Sequence, residues 1–129
     1  MVYVAKSAPA GTDTGDRLTI RERAMYGGDA IRAGDVVFLW ASETQGGEGL
    51  WARGTVLRRL PDRQRVTIET SIDRRRTGEQ FSTRHLEPYR NATGTDPLIG
   101  LSRKLYRHAH NKIARLSDDE ASLLGRYFD

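Results

Sequence analysis

The chain has no cysteine, which excludes disulfides, thiolate metal sites and a thiol nucleophile, and which fits a reducing interior. It has three histidines, His85, His108 and His110. The last two stand two apart, which on a helix points them to different faces, and no carboxylate beside them completes a His-Glu-x-x-His metal motif. Polar side chains that favour the negative end of a helix explain them without a metal. No Gly-x-Ser-x-Gly elbow occurs, and Gly46-Gly47-Glu48-Gly49 lacks the lysine and hydroxyl of a phosphate-binding P-loop. No apolar stretch reaches membrane-spanning length, and no basic region followed by an apolar segment opens the chain. The expectation is a cytoplasmic protein without membrane contact, metal, cofactor or catalytic residues.

What is present is 129 residues, 37% hydrophobic and 29% charged, enough for one domain spanning 1–129 with a single core. The net charge is +4, and its distribution says more than its sum. Residues 1–52 carry five basic and seven acidic groups, residues 53–90 carry ten Arg and five acidic groups, and the rest is nearly balanced. An all-Arg middle suits phosphate oxygens through its planar fork. An arginine-rich genome would leave the same bias on an ordinary solvated face.

The organising stretch runs from Gly34 to Val56. Val36–Trp40 is apolar, β-branched and aromatic, Ser42–Gly49 is polar and glycine-rich, and Leu50–Leu57 brings the second tryptophan. This reads as a hairpin with a long tip, placing Trp40 and Trp51 near one mouth of a sheet. Val2–Ala5 is a short strand candidate, residues 8–16 read as loop, and Leu18–Arg23 as a brief strand or a helical turn. Nothing between Gly11 and Ala33 promises much core. Val66, Ile68, Thr70 and Ile72 alternate on one face of a strand, Arg74–Glu79 reads as an exposed basic turn, and Phe81–Leu86 as a last strand. Spaced short strands suggest a small barrel or closed sheet.

Beyond Asn91 the period changes. Leu98, Leu101, Leu105 and Ala109 recur at helical spacing behind an Asp96 cap and Pro97. Ser117-Asp118-Asp119-Glu120 is a capping box opening a second helix, and its acidic residues suit the positive end of that helix better than a metal. The result is a β-rich α+β domain. Tyr3, Tyr26, Phe38, Trp40 and Trp51 crowd the first half. Trp40, last in its strand, is either a core lid or one wall of a pocket for a flat ligand.

Gly34-Asp35-Val36-Val37-Phe38, Trp40-Ala41-Ser42 and Leu50-Trp51-Ala52-Arg53-Gly54-Thr55-Val56, preceded by Tyr3 and Lys6-Ser7-Ala8-Pro9, resemble the EVE domain of the PUA-like superfamily over about residues 2–72. The resemblance implies a small PUA-like β-barrel of about five to six strands with short flanking helices. It also implies a pocket at one barrel end for a modified nucleobase in DNA or RNA. Lys6, Ser7, Trp40 and Ser42 would border that pocket, with Tyr26 and Trp51 beside them, and Arg58, Arg59, Arg74, Arg75 and Arg76 would hold phosphates. The expected function is a non-enzymatic nucleic-acid reader. Its competitors are a protein-interaction or small-metabolite module and a nucleotide or nucleic-acid hydrolase.

Overall fold

The run Val36–Ala41 is apolar on both of its faces, and the fold gives each face a core of its own. The computed structural model describes residues 1–6, 16–41, 49–106 and 112–128. Its strands are β1 (Val2–Lys6), β2 (Arg17–Met25), β3 (Val36–Ala41), β4 (Gly49–Leu60), β5 (Val66–Ser71), β6 (Arg74–Arg75) and β7 (Lys112–Arg115). The helices are α1 (Thr83–Leu86), α2 (Pro97–Leu105) and α3 (Asp118–Gly125). The strands form one sheet in the order β3-β1-β7-β2-β5-β4-β6, and a further β3–β4 pairing closes six of them into a mixed barrel. β6 lies outside the ring, along β4.

Tyr3, Ala5, Val37, Leu39, Ile20, Val56, Ile68 and Ile113 fill the barrel. The opposite faces of β1, β3 and β7 present Val4, Phe38, Trp40 and Ala114 to Leu101, Leu105, Leu124 and Phe128 of the helical segments. Burying each large apolar side chain contributes about 1.5–3 kcal/mol. A wall wetted on neither side is therefore the most stabilising part of the sheet, and its sequence has no polar stripe.

The hairpin carries one irregularity with large effect. Leu39 pairs with Ala52 but Trp40 pairs with Leu50, so Trp51 is an extra residue, a β-bulge. Trp51 and Ala52 both join the barrel interior, while Trp40 and Leu50 join the helical layer.

The strand at β5 matches its alternation, with Val66, Ile68, Thr70 and Ile72 all buried. The two helix starts also match. Asp96 accepts from the Leu98 amide at 2.9 Å, and Ser117 and Glu120 exchange hydrogen bonds at 3.2 and 2.8 Å. Glu120 in addition meets Lys104 at 2.5 Å, tying α3 to α2.

Two expectations are corrected, and one strand went unforeseen. The stretch before Ala33 does carry core: β2 is nine residues long, and Leu18, Ile20 and Ile31 are buried in the barrel. Its sparse apolar residues sit among charges because its outer face is wet. Phe81–Leu86 is not a strand. Ser82 starts α1, with its own amide donating to His85 Nδ1 at 3.1 Å, and Phe81 and Leu86 seal the helical layer instead. β7 was not legible at all, yet it pairs antiparallel with β1 and parallel with β2 and completes the ring. Among the described residues no helix is long and apolar enough to cross a membrane.

Gly54 shows how closely β4 and β5 approach, since a Cβ there would lie 1.9 Å from the Ser71 carbonyl oxygen. Gly54→Ala should lower stability by about 1–3 kcal/mol, the cost of forcing packed backbone apart. Denaturant unfolding measures it, and an unchanged midpoint would show that the strands can part there freely.

Candidate functional site

At one end of the barrel the apolar pattern of the wall breaks. Lys6 is the register partner of Trp40 on the parallel β1–β3 pair. Lys112 lies one step beyond the Ala5–Ile113 pair on the other side of β1, and its partner on β2 is Arg23. Trp40, Lys6, Lys112 and Arg23 thus form one rung across four neighbouring strands, on the face that packs against helices. Trp40, Lys6 and Lys112 are 0%, 2% and 1% exposed, whereas Arg23 is exposed.

Two atoms of this rung, Trp40 Nε1 and Lys112 Nζ, are buried without a hydrogen-bond partner among the described residues. The remaining buried polar side-chain atom of this kind among the described residues is Ser102 Oγ, on the helix α2 that covers the same layer. Native interiors pair nearly all such atoms, so a cluster of orphans on one layer marks a place apart from the rest of the core. The Lys112 ammonium stands 5.5 Å from the centre of the Tyr26 ring, a cation–π contact. Burial, with the charge of Lys112 second, lowers the Lys6 ammonium from 10.5 to about 8. Burial also lowers Lys112.

Of the residues singled out in the sequence, Lys6 and Trp40 are therefore brought side by side, and Tyr26 joins them through Lys112. Trp40 is not an open aromatic wall. Its indole is sealed in the helical layer, edge-on to Phe81 at 5.6 Å. Trp51 lies at the same barrel end but across the sheet, 5% exposed, with the Arg75 guanidinium 5.6 Å from its ring. The two indoles do not share a slot, because the bulge sends them to opposite faces. Ser7 and Ser42 lie outside the described residues, as do His108, His110 and most of the glycine-rich tip.

The five arginines do not act as one patch either. Arg74 and Arg75 are exposed on β6, beside the Trp51 end of β4. Arg76 is spent on structure, donating to the carbonyls of Leu50, Gly78 and Glu79. Arg58 and Arg59 sit toward the other end of β4, where Arg58 meets Glu69 at 3.3 Å and Arg59 donates to the carbonyls of Asp29 and Ile31. Sequence reasoning missed Lys112 and Arg23. A signal existed, since only three of the 21 basic residues are lysine, and two of those three are the buried pair.

Elsewhere the surface is cleft in two notable places. One cleft of about 480 Å³ is lined by Phe81, Leu98, Leu123 and Tyr127, with Glu79 and Arg126 among its polar groups. Phe81 and Tyr127 stack there at 5.0 Å and 5°. Another, of about 590 Å³, lies between Tyr26, Met1, Lys104, Arg115 and the start of α3. Among the described residues no three His, Asp or Glu side chains gather as a metal site.

No family model and no curated protein sequence matches the chain. Two solved structures share its fold. The DUF55 domain of human thymocyte nuclear protein 1 is similar with a TM-score of 0.64 at 14% identity, over 98% of both chains. Rpa0253 from Rhodopseudomonas palustris is similar with a TM-score of 0.62 at 13% identity, over 98% of this chain and 92% of that one. The architecture is that of a small PUA-like α+β barrel.

The lowered Lys6 fixes a pH dependence. Unfolded, the lysine keeps its proton to about 10.5; folded, only to about 8. Between those values the unfolded chain holds more protons, so stability rises with pH across the window, and the penalty is fully present below it. Equilibrium unfolding at a series of pH values should show a gain on the order of 3 kcal/mol from this group. Lys6→Met should shrink the rise to the share of the buried Lys112 and stabilise the protein at neutral pH; a rise unchanged by the substitution shows that Lys6 does not contribute to it.

Proposed function

We propose that this chain is a non-enzymatic nucleic-acid-binding module that reads a modified nucleobase in DNA or RNA at the rung end of its barrel. The supporting observation is the concentration of hydrogen-bond donors there. An indole N–H, two ammonium groups and a guanidinium occupy one row, and two of the buried donors have no hydrogen-bond partner among the described residues. The barrel's likeness to the DUF55 domain and the sequence resemblance to EVE domains lend weight to the same reading. Trp40 then contributes its N–H, not a ring face. Tyr26, 38% exposed, is the aromatic that a guest can reach. Arg23, Arg74 and Arg75, all exposed, are placed to meet phosphates.

A second reading draws on the Phe81–Tyr127 cleft, whose aromatic and aliphatic walls would suit an apolar side chain of a protein partner. It predicts no response to salt, which separates it from the first.

Fluorescence anisotropy with short oligonucleotides, modified and unmodified, tests the proposal. Binding should weaken steeply with salt, by roughly 0.7–0.9 log units per decade for each phosphate neutralised. Replacing Arg74 and Arg75 with Gln should reduce that slope by about 1–2 and weaken all sequences alike. Preference for a modified base should vanish in Trp40→Phe, which retains an aromatic in the core. No binding at low salt would overturn the reading.

A further inference from the structure

We infer that the rung binds an anionic oxygen group carried by its guest, a phosphate or a carboxylate, held between Trp40, Lys112 and Arg23. This deepens the nucleic-acid reading and rests on it for the identity of the guest. The argument is one of donors and acceptors. An indole nitrogen, an ammonium and a guanidinium all donate, and none of them accepts. A guest that meets this row must therefore present acceptors. A methyl-bearing or amino-bearing edge satisfies none of them.

Charge narrows the class further. Lys112 Nζ is buried without a hydrogen-bond partner among the described residues, and it stands over the ring of Tyr26. An ammonium held in this way costs free energy until an acceptor, best a charged one, meets it. Burial pushes both lysines toward neutrality, and the charge of Lys112 adds to the effect on Lys6, next to it on β1. An anion offsets the charge of both lysines together, whereas a neutral carbonyl accepts hydrogen bonds but offsets no charge. Arg23 continues the row at the exposed end, and a forked guanidinium there suits a phosphate or carboxylate entering from solvent.

The same chemistry has two sources in a nucleic acid, a terminal phosphate and a carboxylate on the base. Two pairs of probes distinguish them: thymidine 5′-monophosphate against thymidine, and a short oligonucleotide with one 5-carboxylcytosine against the same strand with 5-methylcytosine. Binding to the full chain is followed by nitrogen-edited NMR of the Trp40 indole N–H, identified by its persistence in Trp51→Phe. The charged member of at least one pair should bind about tenfold tighter and move that resonance, a difference of about 1.4 kcal/mol. Lys112→Met should erase the preference and Lys112→Arg should restore part of it. Equal affinity within both pairs, or a preference untouched by Lys112→Met, overturns the inference. Oligonucleotides that bind without regard to guest charge leave the nucleic-acid reading standing and this one fallen. Monophosphate binding without any oligonucleotide binding does the reverse.

Discussion

Everything in this molecule depends on a sheet wall that is dry on both sides. β1 and β3 run parallel, β7 joins them antiparallel, and their side chains feed a barrel core on one face and a helix-covered core on the other. Neither core is large. Because they share a wall, the barrel cannot open without disturbing the helices. The rigidity of this wall also lets polar groups at its end be held out of water at all. Without it, Lys6 and Lys112 would turn outward and keep their solvation.

The chemistry of the site follows from the place where the wall stops being apolar. Val2, Val4 and Lys6 share one side of β1, and Val36, Phe38 and Trp40 share the matching side of β3. The strand register therefore carries hydrophobic partners up to the last rung and then presents donors. Burial changes the proton affinity of the lysines there, and the indole brings a fixed N–H that no protonation can alter. The row combines two cations of adjustable charge with two donors of constant character. A lysine and an arginine on one rung are not equivalents, since only the former can shed its proton under desolvation.

Much of the fold was legible from the chain. The alternation of β5, the Asp96 cap with Pro97 and the Ser117–Glu120 box are local signals, and each led to the observed element. β7 was silent because Lys-Ile-Ala-Arg has a single large apolar residue and follows a helical period. Its extended form is imposed by β1 and β2 on either side. Phe81–Leu86 misled for the opposite reason: its apolar ends suit a strand, but Ser82 and His85 supply a helix start. At the site, Trp40 was readable from its strand end and Lys6 through the family resemblance. Their companions Lys112 and Arg23 were not, because cross-strand neighbours are set by topology. The separation of the two tryptophans was equally out of reach, since one extra residue in a strand leaves no mark on composition.

That extra residue has a structural meaning beyond the hairpin. By stepping the register between Leu39 and Trp40, it lets a single pair of strands supply a large aromatic to each compartment, one plugging the barrel and one sealing the helical shell. The compartments can consequently be tuned apart. Removing one residue at the bulge would restore regular pairing and move an indole from one chamber to the other, so chain length here, more than residue identity, decides which chamber each ring occupies.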